Sequence, residues 1–504
     1  MTGINRRGLL KGSIFGMAAA GASVIPVAVQ AQAAAPVKTE EYDVVVIGCG
    51  CAGMAAALEA ADKGAKVVIL EKMSRPAGNT IFAGGHFNAT NTYVQKAQGL
   101  QDTIDDFYRD MMIVSQQRGD KALTRQYCEM SGSAIQWLTD ECGVKFKPIV
   151  VEVFPGLNRG HVVDGKLKPG GAQLSKQMLD TVKAKKIPVL FNTKVISLIG
   201  DNRLHVLGCR AVNEDDEAVD FMAKGGVVIC TGGFHANKEM VCRYMGGDVA
   251  WMPIRGSNVL QGENITLTMP FNPKYVNMDQ FHAGPIHGPT RANPSTMVNY
   301  GVLLKEDGTR FLDEAETYVS VAQKMPKIIP NNWAFIIIDS QVVDVPTVKA
   351  RIDRYKRAKA PIYTGNTIEE MAKAANLPVE QVVSVIKEYN DAVKAGKANT
   401  LTPPNTLEKP RLIEKGPFMA FPFQGGMTAT FGGPMITAKS EVLNNDDKPI
   451  PGLYAAGNAL GGIFYHDYIV GSQLTAAVIW GRIAGEQAAA RALSLIHISE
   501  PTRP

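Results

Sequence analysis

Gly48, Gly50 and Gly53 are spaced as G-x-G-x-x-G, and Glu71 follows eighteen residues after the last of them. This set could hold a dinucleotide. Gly48 permits a tight turn, Gly50 lets the backbone approach a pyrophosphate, and Gly53 lets a helix pack closely on a strand. The helix that follows would aim unpaired N–H groups and a partial positive charge at the phosphates. The Glu71 carboxylate would accept hydrogen bonds from ribose hydroxyls. A glycine-rich structural turn is the plain alternative, but strand, turn, helix, strand and acid fall here in the order a nucleotide site needs. Three more segments carry related signals. Gly78-Asn79-Thr80 and then Ala83-Gly84-Gly85 suit a loop lying against a flat ring system and its phosphates. The run VVICTGGF at 227–234 leads a strand into Thr231, Gly232 and Gly233, and GLYAAGN at 452–458 brings Gly457 and Asn458 about 400 residues after the first glycines.

The elements that must position these residues are legible around them. Positions 44–47 are β-branched, an Ala-rich helical stretch follows Gly53, and 66–70 reads as a second strand ending on Glu71. Between 368 and 396 two helical patterns occur (IEEMAKAANL and VEQVVSVIKEYNDAVKAG), with Pro378 before the second and Gly396 at its end. Pro403-Pro404 begins a return linker.

The ends of the chain read differently. Asn5-Arg6-Arg7-Gly8-Leu9-Leu10-Lys11, an apolar Ala-rich stretch and Ala31-Gln32-Ala33 resemble a twin-arginine export signal over 1–33. A membrane anchor is the alternative for the apolar stretch. Residues 494–504 (SLIHISEPTRP) break from the preceding helical pattern and resemble adapter read-through, so this tail is expected to be non-native. The formal charge of +5 becomes +2 once Arg6, Arg7 and Lys11 are removed, because Glu500 and Arg503 cancel. That balance points away from nucleic acid and from stable membrane attachment. The seven cysteines have no CxxCH, zinc or iron–sulfur spacing, so no metal site is expected. Cys49 and Cys51 read as small residues within the turn.

Taken together, the opening fingerprint, Cys230-Thr231-Gly232-Gly233 and Ala455-Ala456-Gly457 resemble the fumarate reductase and 3-ketosteroid dehydrogenase flavoprotein superfamily, from about residue 42 to 490. The resemblance implies FAD and an α/β fold: a Rossmann-like FAD-binding domain built from both chain ends (41–276 and 428–493), with an inserted α+β substrate cap (277–427). It also implies that Cys51, Ala52, Lys72, Val195, Ser472 and Leu474 join the FAD site. Gly308-Thr309-Arg310-Phe311-Leu312-Asp313-Glu314 is similar to the family's G-x-R-F-x-N-E segment, whose arginine is the proton donor in the reductase branch. An arginine suits electrostatic activation better than proton transfer, its pKa being above about 12; Arg310 could instead pair with Asp313 or Glu314 and hold the cap. His282 falls where that branch places a substrate-binding histidine.

Departures from the reductase branch are also visible. Its His-rich stretch corresponds to TATFGG at 428–433, its second substrate arginine to Tyr468, and only Arg291 is charged between Gly284 and Tyr300. A carboxylate buried without a cation is costly, so the two missing cationic groups argue against fumarate or another small dicarboxylate. His466-Asp467-Tyr468 with Gly471-Ser472 is similar to the ketosteroid branch's H-x-Y-P-G-x-G, where the tyrosine and a backbone N–H bind the ketone oxygen. Tyr318 corresponds to that branch's tyrosine base. The expected chemistry is hydride exchange between the flavin and the carbon β to a carbonyl, with a donor on the oxygen and a proton at the α carbon. The primary expectation is a periplasmic reductase of an enone or enoate, taking electrons from a separate cytochrome or quinol-linked donor. The rivals are a ketosteroid-type dehydrogenase and a non-catalytic flavin electron carrier.

Overall fold

The computed structural model describes residues 37–152 and 154–499, with side chains as far as Leu495. The expectation for 1–33 and the last five residues lie outside the described residues. In chain order, the principal elements begin with β1 (Lys38–Ile47), α1 (Cys51–Asp62), β2 (Val67–Leu70), β3 (Val189–Leu190) and β4 (Ala218–Ile229). Next come β5 (Phe281–Ile286), β6 (Val302–Lys305), α2 (Tyr318–Ile328), β7 (Ala334–Ile338), α3 (Pro346–Arg357) and β8 (Tyr363–Gly365). The chain ends with β9 (Phe418–Thr430), β10 (Glu441–Leu443), β11 (Pro449–Ala455) and α4 (Ser472–Ser499).

Val44, Val45, Val46 and Ile47 are buried, as are all four residues of β2. A continuous apolar run of this kind belongs to a parallel strand covered on both faces. The sheet order is β10-β11-β4-β1-β2-β3, parallel throughout except for β10 against β11. A hairpin of Lys194–Gly200 and Val206–Val212 extends it from β4. Val46 stands beside Ile69 on one side and Val228 on the other, and Tyr454 pairs with Val228. One sheet is thus assembled from both chain ends. Ala52 and Ala56 of α1 meet Gly481 and Gly485 of α4, where a Cβ at Gly485 would lie 2.1 Å from the Ala56 carbonyl oxygen. The break expected at Ser494 is absent from the backbone: α4 runs on to Ser499.

Residues between β4 and β10 form an antiparallel sheet of order β5-β9-β7-β6, with β8 also paired to β9. Side chains alternate across it. Leu303, Ile336, Ile338, Phe421 and Phe423 face Val348, Ile352 and Tyr355 of α3. Val302, Leu304, Phe335, Ile337 and Ala420 face Met371, Val382 and Ile386. Those last three belong to the helices Ile368–Ala374 and Val379–Lys394. Where the chain enters and leaves this region, Tyr275–Val276 pairs antiparallel with Gly433–Pro434.

Candidate active site

A single cavity of about 760 Å³ runs from the glycine turn to the cap sheet. At the turn each glycine has a separate reason. Gly48 has φ +106°, and a Cβ there would lie 2.5 Å from the Cys230 carbonyl oxygen. A Cβ at Gly53 would lie 1.9 Å from the Gly48 oxygen, so this residue serves packing and does not line the cavity. A Cβ at Gly50 would meet only Thr80 Oγ1 at 3.6 Å, and one at Gly78 would meet nothing within 4 Å; both residues line the cavity, which such a group would fill. Glu71 accepts from the backbone N–H of Cys49 and of Met73, each at 2.9 Å, and its burial raises its pKa.

Asn79 fastens this wall. Its amide donates to the Thr428 carbonyl (2.9 Å) and its oxygen accepts from Ser257 N (2.7 Å). The Thr80 hydroxyl oxygen accepts the Cys51 N–H at 3.0 Å. Lys72 pairs with Glu263. Cys51, Ala52, Gly84, Val195, Thr231, Gly232, Gly457, Asn458 and Leu474 complete the lining. This elongated, glycine-cradled space with a buried carboxylate at one end fits FAD. Besides Gly53, three residues of the expected set stand elsewhere. Gly85 packs on Gly170, and Gly233 packs on the Thr430 hydroxyl. Ser472 is fully buried, with its N–H spent on the Ile469 carbonyl (3.0 Å). Of the Gly471–Ser472 backbone expected to offer a donor to the substrate oxygen, Ser472 N is thus excluded, while Gly471, at φ +97°, lines the cavity. Burial pushes the Cys49 thiol up to about 12 and the Cys51 thiol higher still, so both are inert.

At the cap end three rings form one wall. His282 comes from β5, Tyr318 is the first residue of α2, and Tyr468 lies in the loop before α4. The His282 and Tyr468 ring centroids are 4.4 Å apart, and Tyr318 meets His282 edge-on at 6.3 Å. Thr317 caps α2 by accepting the Ser320 N–H at 3.1 Å, which fixes where Tyr318 begins. Neither the Tyr318 nor the Tyr468 hydroxyl has a hydrogen-bond partner among the described residues, and both residues line the cavity. Burial raises the pKa of each. His282 is held neutral by burial and then by the nearby Arg255 charge. Asp467, 13% exposed, accepts the Tyr468 N–H at 2.7 Å, and its Oδ1 lies 4.0 Å from His282 Nδ1. Burial lifts the Asp467 carboxyl to about 7.

Arg310 is not part of this wall. It does not line the cavity; its Nε donates to Glu314 Oε1 at 2.9 Å, its Nη1 to the Pro403 carbonyl at 2.5 Å, and its guanidinium lies over the Tyr389 ring. Glu314 is fully buried and is also bound by Asn405. The arginine holds the cap together, which is the structural alternative that its spacing from Glu314 allowed.

The expected shortage of cations is also overturned. Arg255, Arg291, Arg351 and Arg354 all line the cavity. Arg255 donates to Thr428 Oγ1 at 3.1 Å and lies flat on β5 at Gly284, where a Cβ would sit 2.4 Å from its Nη1. Arg291 is committed to the Arg255 and Gly256 carbonyls. Arg351 and Arg354 stand one turn apart on α3. Sequence reading missed Arg255, Arg351, Arg354 and Asp467. Arg255 and the Arg351–Arg354 pair lie in unrelated segments with no shared motif, and a lysine- and arginine-rich helix reads locally as a solvated face. Asp467 alone carried a signal, lying beside Tyr468 in a segment already singled out.

Comparison with known proteins agrees with this geometry. The family described as "FAD binding domain" matches residues 43–471. An NADH:fumarate oxidoreductase of Klebsiella pneumoniae is 32% identical over 461 residues, covering 90% of this chain but 48% of that protein. The chain thus spans about half the length of this relative. A flavocytochrome c3 fumarate reductase in its open conformation superposes with a TM-score of 0.79 at 28% identity, covering 90% of this chain and 79% of the other. The 3-ketosteroid-delta4-(5alpha)-dehydrogenase of Rhodococcus jostii gives 0.73 at 28% identity, covering 89% and 97%. The chain belongs to the FAD-binding domain family, in the flavoprotein superfamily that includes the fumarate reductases and the 3-ketosteroid dehydrogenases.

Proposed function

We propose that this protein is an exported FAD-dependent reductase of a C=C bond conjugated to a carbonyl or carboxylate. The observation that carries the reading is the pair of unpartnered phenol groups, Tyr318 and Tyr468, beside neutral His282 on a cavity continuous with the nucleotide turn. Bound FAD would supply the hydride. Tyr468 donates a hydrogen bond to the substrate oxygen and stabilises the negative charge that develops there. Tyr318 delivers a proton to the α carbon. Residues of β5, α2 and α3 line this end of the cavity.

Burial lifts the Tyr318 hydroxyl above its ordinary value of 10, which keeps it protonated at neutral pH, the form that donates a proton to the α carbon in the reductive direction. The ketosteroid-type reading keeps one argument, the phenol pair itself, and predicts flavin reduction by a saturated ketosteroid. A cytochrome or quinol-linked donor would supply the electrons; the given residues hold no CxxCH with which to attach haem. Export rests on Asn5-Arg6-Arg7 and the apolar stretch after it. Changing Arg6 and Arg7 to Lys should leave the protein in the cytoplasm.

The test is steady-state turnover of the FAD-loaded protein with a reduced viologen donor, offering an enone, an enoate and a saturated ketosteroid in turn. Consumption of the donor with an enone or enoate supports the proposal. Silence toward both, with flavin bleaching by the ketosteroid, overturns it.

A further inference from the structure

The cavity collects guanidinium groups that no carboxylate pairs with: its lining acids Glu71 and Glu263 are engaged at the glycine turn and with Lys72. Arg255, Arg351 and Arg354 have no ion pair among the described residues, and the Nε atoms of Arg255 and Arg351 are buried with no hydrogen-bond partner. Burial, and then the charges of Arg354 and Arg255, depress the Arg351 pKa. Like charges gathered in a partly dry space are destabilising on their own, so the arrangement is complete only with an anion among them. Arg255 lies against Gly284, two residues along β5 from His282, and Arg351 lines the same cavity as Tyr318, which puts this charge at the reacting end. The wall made by His282, Tyr318 and Tyr468 is uncharged and aromatic. One anion can be met by cations here, and the aromatic wall offers none for a second.

We propose that Arg351 of the cap helix, with Arg255, is the carboxylate-binding subsite that makes the substrate a monoanionic enoate bearing an apolar or aromatic substituent. This rests on the function proposed above and narrows it from enone or enoate to enoate. Arg351 and Arg255 are specificity-determining residues, and Arg351 stands on the inserted sheet region whereas Arg255 precedes it. A bound carboxylate therefore ties the two together at the cavity.

The experiment uses two unreactive probes of nearly the same shape, 3-phenylpropanoate and 4-phenyl-2-butanone, titrated against the oxidised FAD-loaded protein by flavin absorbance or calorimetry. The wild type should bind the carboxylate at least 10-fold more tightly than the ketone. Replacing Arg351→Gln should weaken the carboxylate roughly 10- to 100-fold, as loss of a hydrogen bond to a charged group does, while moving the ketone less than 3-fold. Equal affinities in the wild type, which need no variant, overturn the proposal. So does an R351Q protein in which both probes weaken together, or one that loses FAD, since the arginine would then serve the cofactor phosphates. Turnover separates the two claims. If the reduced enzyme converts neither cinnamate nor the matching enone while R351Q still weakens 3-phenylpropanoate selectively, the reductase reading fails and the subsite stands. If both are reduced with no preference that depends on Arg351, the subsite fails and the reductase stands.

Discussion

Asp467→Asn should stabilise this protein, by an amount that grows from pH 4 to pH 7. The carboxyl is 13% exposed, and its pKa is lifted from 3.8 to about 7, chiefly by burial. In the unfolded chain it ionises near 4. Between pH 4 and pH 7 the unfolded state therefore releases a proton that the folded state keeps, so stability falls as pH rises through that window. Above pH 7 the folded protein carries the whole penalty, about 4 kcal/mol for a shift of this size. An asparagine has no charge to bury, and its side-chain oxygen still accepts the Tyr468 N–H. Urea unfolding of the FAD-loaded wild type and D467N should give curves that nearly coincide at pH 4.5. They should separate progressively by up to about 4 kcal/mol at pH 8, with the variant more stable. An offset that stays the same from pH 4.5 to pH 8 would refute the reasoning, because the carboxylate would then not be destabilised by its surroundings.

Four further outcomes follow from the same geometry. Tyr468→Phe should lower kcat/KM roughly 100- to 1,000-fold if its hydroxyl polarises the substrate oxygen, with FAD content unchanged by absorbance. Tyr318→Phe should lower kcat by about 10²- to 10⁴-fold and abolish the solvent isotope effect expected when proton delivery limits the rate. Arg310→Met leaves buried Glu314 without its cation and should cost about 3–5 kcal/mol in unfolding free energy, while the folded fraction keeps kcat/KM within 3-fold. Gly53→Ala drives a Cβ to 1.9 Å from the Gly48 oxygen and should yield protein without bound flavin on purification.

The nucleotide half of the molecule was legible because its signals are local. The β-branched run, the glycines and Glu71 occupy 28 consecutive positions, 44–71, and each acts on its neighbours. The cap was legible only in part. Its helices Ile368–Ala374 and Val379–Lys394 show clear periodicity, but α3 hides behind a surface-like run of Arg351, Arg354, Lys356 and Arg357. Arg310 misled because a motif arginine four residues from an acid on the same segment serves an ion pair as readily as chemistry. The cation count failed for a related reason. Arg255 reaches the cavity because Gly284, on a different strand, leaves room for its guanidinium, and no pattern within either segment announces that meeting. Gly85, Gly233 and Ser472 sit inside the right motifs, yet their backbones turn toward Gly170, Thr430 and Ile469.

The central claim is that this cavity joins a hydride source to a protonated phenol across a conjugated double bond. A single-turnover experiment addresses it most directly: reduce the FAD-loaded protein anaerobically, add cinnamate, and follow flavin reoxidation while quantifying product. The account predicts one equivalent of 3-phenylpropanoate per flavin reoxidised in the wild type and a rate at least 100-fold lower in Tyr318→Phe. Reoxidation without saturated product, or at the same rate in both proteins, would contradict it.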